Sequence, residues 1–191
     1  MSIKNKIINS IQEAYVDEKP FSHMYIQKFF DDSFYNKLLN SLPNKENYDQ
    51  INKTGSVDKS YPDERYIFTM NNNKISTLES EKKEALKDIV QAFTSPDFFK
   101  ATLDKFKNTI ENRIKNFSDE EKESFGEKDF NFSIRIALIK DYTKYLLGSH
   151  TDVTRKFLTF LFYLPKDESL KECGTSLYEP NPEIINLFNS M

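Results

Sequence analysis

Residues 142–180 read YTKYLLGSHTDVTRKFLTFLFYLPKDESLKECGTSLYEP, and the run KFLTFLFYL at 156–164 inside them decides the fold class. It is nearly continuous in apolar and aromatic residues and has the length of a strand, which suits a strand covered on both faces. Upstream, FNFSIRIALI at 130–139 has a period of two. That puts Phe132, Ile134, Ile136 and Leu138 on one face and Asn131, Ser133, Arg135, Ala137 and Ile139 on the other. A shorter strand and a turn are expected between the two runs.

Before residue 129 the texture is helical. Ile3, Ile7, Ile8 and Ile11 form one stripe over residues 3–14, as an amphipathic helix requires. Residues 24–30 (MYIQKFF) read as a short strand, followed by Asp31, Asp32 and Ser33 as cap candidates for a helix carrying Phe34, Leu38, Leu39 and Leu42 and ended by Pro43. Residues 44–63 are polar and turn-rich, and 65–70 (RYIFTM) read as a strand. Ser76 with Glu79 has capping-box spacing ahead of Leu86, Ile89, Val90 and Phe93. Ser95–Pro96 opens a helix with Phe99, Leu103, Phe106 and Ile110 on one face, and Ser118 with Glu121 repeats the capping-box spacing. Helices first and strands after predict an α+β layout, with helices packed on one face of a sheet. The expected organisation is one structural domain in two parts, a helical support region with short strands at 1–129 and a sheet region at 130–191.

Composition narrows the function classes. The 191 residues include 17 Phe and 10 Tyr at a net charge of only -3, with basic and acidic residues interspersed. That supplies core material and argues against nucleic acid as a partner, which needs a concentrated basic face. No apolar run approaches the roughly 20 residues that span a bilayer, and the N-terminus lacks the pattern of a signal peptide. A single cysteine, Cys173, excludes an internal disulfide framework and fits a reducing cytoplasm.

The residues that could carry chemistry sit in Gly148-Ser149-His150-Thr151-Asp152. On an extended segment, positions i and i+2 point the same way, so His150 and Asp152 can offer an imidazole nitrogen and a carboxylate oxygen to one metal ion. Two histidines and a carboxylate on one face of an octahedron make the facial triad of non-haem Fe(II) oxygenases. The same spacing also describes a surface histidine beside a turn aspartate. Arg135, on the strand face opposite Ile134, is a candidate contact for an anionic substrate.

The wider pattern comprises Tyr142, Gly148, His150, Asp152, Lys156, Tyr163-Leu164-Pro165, Gly174-Thr175-Ser176-Leu177-Tyr178 and Pro180. In order and spacing it resembles the Fe(II)- and 2-oxoglutarate-dependent dioxygenases of the prolyl-hydroxylase-like group. The resemblance implies a double-stranded β-helix (jelly-roll) core backed by helices, with Fe(II) as cofactor and 2-oxoglutarate as cosubstrate. It also implies hydroxylation of a small-molecule or peptidyl substrate. It makes His150 and Asp152 metal ligands and sets Tyr163 against the distal carboxylate of 2-oxoglutarate. Phe157, Thr159 and Leu161 would then line the same pocket, with Tyr142 near the cosubstrate or substrate. The family also uses a distal histidine and, beyond it, an Arg or Lys that pairs with 2-oxoglutarate. Neither stands between Pro180 and Met191. The expectation is therefore a partial jelly-roll with an incomplete triad, weak or absent turnover, and strand edges open to self-association. The alternative is a non-catalytic jelly-roll that binds a ligand or partner without iron.

Overall fold

A computed structural model describes residues 2–59, 61–125, 132–142, 148, 150, 152, 156–170, 173–179 and 181. Helix α1 (Ile3–Glu13) starts where the Ser2 side chain accepts from the Asn5 amide, and it buries Ile7 and Ile11. Helix α2 (Asp32–Asn40) is capped by Asp31, whose carboxylate accepts from the Phe34 amide at 3.0 Å. Lys6 reaches the same carboxylate at 2.5 Å, and these hydrogen bonds hold Asp31 below the usual carboxylate range.

Residues 24–30 are not a strand. The chain turns at Gln27–Lys28, where Lys28 has φ 54°. Consecutive side chains in a strand face opposite ways. The turn lets both Phe29 and Phe30 enter the core, their rings in edge contact at 5.0 Å.

The second helical group is α3 (Asn72–Ser76), α4 (Ser80–Phe93), α5 (Pro96–Lys105), α6 (Lys107–Lys115) and α7 (Asp119–Phe125). Ser76 does not cap α4. Asn71 caps a short preceding helix, leaving Ser76 in its last turn with its hydroxyl donating to the Asn73 carbonyl. The expected helix from Ser95 starts with Pro96 but breaks at Phe106 into α5 and α6. Phe98, Ala101 and Thr102 are buried in α5 in place of the expected Phe99 and Leu103 stripe. The capping box at Ser118 forms as expected, Ser118 and Glu121 each accepting from the other's amide. Helix α1 lies on α4 and α5, and α2 and α3 lie on α4.

Against these helices sits an antiparallel sheet in the order β1 (Asp49–Gln50), β2 (Arg65–Thr69), β3 (Ala137–Asp141). Register pairs Arg65 with Asp141 and Phe68 with Leu138. The Arg65 guanidinium closes this end through Nε to Asp141 Oδ1 at 2.7 Å and a second nitrogen to Oδ2 at 2.9 Å. Ile134, Ile136 and Leu138 turn toward the helices, as their period of two requires. Residues 156–164, expected as a strand, pair with no strand among the described residues, but their burial alternates from Leu158 on, with Phe160, Phe162 and Leu164 on the same core. Among the described residues, Leu158 through Leu164 make no backbone–backbone hydrogen bond. The architecture is mixed helix and sheet, and a closed jelly-roll is not seen among the described residues. No helix among them is long and apolar enough to cross a membrane.

Tyr48 closes the core beside Phe68, with ring centres 5.8 Å apart. Burial, with a smaller push from Tyr142, raises its phenol from 10.0 to about 12. The unfolded chain then ionises first, so stability is complete below about pH 10 and falls as pH rises toward about 12, by about 2 kcal/mol. Urea unfolding across this range should show the loss, and Tyr48→Phe should flatten it.

Candidate metal centre

Segment 156–164 is fixed at both ends by side chains from the helical layer. Arg113 of α6 donates to the Lys156 carbonyl at 2.8 Å and sets its guanidinium 5.1 Å from the centre of the Phe157 ring. At the far end, the Tyr35 hydroxyl of α2 donates to the Pro165 carbonyl at 2.6 Å. Between these points Phe162 stacks on Phe93 at 5.1 Å and meets Phe29 at 4.9 Å. Alternation then turns Thr159, Leu161 and Tyr163 away from the core, Leu161 being 60% and Tyr163 52% exposed.

Asp152 meets this outward face. Its Oδ2 accepts from the Thr159 hydroxyl and its Oδ1 from the Lys156 ammonium, both at 2.7 Å. Burial pushes its pKa up, but the hydrogen bonds from Lys156 and Thr159 and the charges of Lys156 and His150 outweigh it. The net result is a lowered pKa. Thr159→Val removes one of these donors and should raise the Asp152 pKa, read from its carboxylate carbon in an NMR titration. Because the pKa is lowered, the stability it confers is present above the unfolded value near 4 and lost as pH falls through the folded one, which lies lower.

His150 is exposed, with Nδ1 2.9 Å from the Gly148 carbonyl oxygen. A carbonyl can only accept, so Nδ1 carries the hydrogen and Nε2 keeps its lone pair for a metal. Each carboxylate oxygen of Asp152 has a second acceptor site beyond the bond it already makes. The chemistry of these two side chains therefore suits a divalent cation. They do not complete a facial triad, since no group of three or more His, Cys, Asp or Glu among the described residues could hold a metal ion. The other histidine, His23, lies in a β-bridge with Asp17 near the N-terminus.

The remaining candidates are divided between two places. Tyr163 shares the outward face with Thr159, and its hydroxyl hydrogen-bonds the Thr175 hydroxyl. Thr175 lies in the quoted motif, but spacing gave it no role. Tyr142 lies instead beside Tyr66, ring centres 5.3 Å apart, on the sheet face that the helices cover. Arg135 is exposed just ahead of β3. Arg113, which anchors the segment, carried no sequence signal because its contacts come from α6 packing.

The chain matches no protein-family model, no curated protein and no solved structure. The likeness of residues 142–180 to dioxygenases thus rests on the sequence motif alone.

Proposed function

We propose that this chain carries the first part of an Fe(II)/2-oxoglutarate-dependent oxygenase domain of hydroxylase type, built on a double-stranded β-helix with residues 1–125 as its supporting layer. One observation carries the reading: Asp152, Thr159 and Tyr163 share the open face of a segment whose other face is sealed on the helical core. In this reading His150 Nε2 and the Asp152 carboxylate are metal ligands. Tyr163, released from Thr175, binds the distal carboxylate of 2-oxoglutarate, and Thr159 orients Asp152. Within residues 142–180 the motif supplies two protein ligands and no basic partner of 2-oxoglutarate. This chain alone therefore holds metal weakly and turns over slowly or not at all.

Anaerobic titration with Fe(II) and 2-oxoglutarate tests the reading through the visible charge-transfer band of the chelate. A saturable band that His150→Ala abolishes is the expected result. A folded sample with no band, or a band unchanged in His150→Ala, rejects His150 as a ligand.

A second reading, a binding module that needs no metal, draws support from Asp152 itself. Lys156 and Thr159 satisfy both of its oxygens without a metal ion. Under that reading, partner or ligand binding is indifferent to chelator.

A further inference from the structure

Two lysines from distant parts of the chain converge on one tyrosine. Lys45 opens the short 3-10 turn Lys45–Asn47 ahead of β1, and Lys140 lies on β3. The Lys45 ammonium is 4.6 Å from the Tyr142 ring centre and 5.6 Å from that of Tyr66. The Lys140 ammonium is 5.7 Å from the Tyr142 centre and 5.6 Å from that of Tyr48. Each ammonium gains a modest cation–π attraction, but two like charges sharing a ring repel each other.

Several other surface lysines meet carboxylates, while some, such as Lys28 and Lys53, do not among the described residues. Lys4 pairs with Asp97, Lys6 with Asp31, Lys37 with Glu84 and Asp88, and Lys74 with Asp49. Among the described residues, neither Lys45 nor Lys140 has a carboxylate partner or a hydrogen bond.

We propose that Lys45 and Lys140, gathered around the Tyr142 ring, bind the phosphate group of a small molecule. Two ammonium charges match a phosphate dianion, and lysine serves such groups as a point charge. The corner lies on the sheet face toward the helices, apart from the open face that carries Asp152 and Tyr163. The proposal is thus independent of the iron reading.

Calorimetric titration of the metal-free chain with inorganic phosphate, at constant ionic strength, tests it. The expected result is saturable one-site binding that the double variant Lys45→Ala/Lys140→Ala weakens by at least about tenfold. Lys53→Ala/Lys59→Ala, in the neighbouring loop, should leave it unchanged. Both target lysines are exposed, so the variant should keep the parent circular dichroism spectrum. Tighter binding of glycerol phosphate than of inorganic phosphate supports an ester as the natural ligand, and the reverse order supports free phosphate. Absence of saturation up to about 10 mM, or equal weakening by the control pair, overturns the proposal.

Discussion

Phe93→Ala is expected to destabilise the fold by about 3–5 kcal/mol, the usual cost of a large aromatic truncated in a core. Phe93 is only 4% exposed, at the junction of the helical layer with segment 156–164. Its ring lies 5.0 Å from Phe98, 5.1 Å from Phe162 and 6.5 Å from Phe29. Removing it leaves a cavity that three neighbouring rings cannot fill without leaving their rotamers. Against a total stability of about 5–15 kcal/mol for a domain, this is a large share, and urea unfolding followed at 222 nm should show it directly. The loss should also reach the candidate site, because Phe162 leans on Phe93 and Thr159 and Tyr163 lie on the reverse of the same segment. A variant that unfolds at the wild-type urea midpoint would show that segment 156–164 is not held by this contact.

The second large effect is a contrast between neighbours. Phe160→Asp should cost at least about 3 kcal/mol, since it sets a carboxylate with no partner against an apolar core. The Phe160 ring sits 5.5 Å from Phe98, which is itself 2% exposed. Leu161→Asp, one position along, should change stability by no more than about 0.5 kcal/mol, because that side chain already faces solvent. It should also reduce any self-association seen by sedimentation, since a charge on an open strand face discourages pairing. Equal destabilisation by the two substitutions would show that a partner layer covers both faces in solution.

The sequence made one half of this arrangement readable. Alternation at 130–139 correctly put Ile134, Ile136 and Leu138 on the core, and the Asp31, Ser95 and Ser118 caps lie at real helix starts. The run at 156–164, read as covered on both faces, is covered on one. Composition could not reveal this, because Leu161 and Tyr163 are apolar whether or not a second layer is present. Local signals failed where a turn or break intervened. The positive φ at Lys28 turned an apparent strand into a corner, and the break at Phe106 left Phe106 and Ile110 buried as expected but put Phe98, Ala101 and Thr102 in the core ahead of it, with Phe99 and Leu103 half-buried. At the candidate site, spacing brought out His150 and Asp152 and put Phe157, Thr159, Leu161 and Tyr163 on one face, of which Phe157 packs against Phe117 and Arg113 while the other three face outward. It carried nothing about Lys156 and Thr159 as the donors that satisfy Asp152, because that network depends on where the side chains end. Tyr142 was drawn toward the cosubstrate by its place in the motif, whereas its ring packs against Tyr66.

The clamp formed by Arg113 and Tyr35 has a consequence for how order in this chain is measured. Segment 158–164 is held by its side chains and its two ends, and among the described residues its amides make no backbone hydrogen bond. Those amides should therefore exchange with deuterated solvent far faster than the amides of β2, which have neighbours on both sides. Meanwhile, the methyl and ring signals of Phe162 and Leu164 should keep the dispersion of a packed interior. If a complementary strand docks, the exchange rates should slow by orders of magnitude with little change in those side-chain shifts. Amide protection, more than spectral dispersion, would then report that the sheet had been completed.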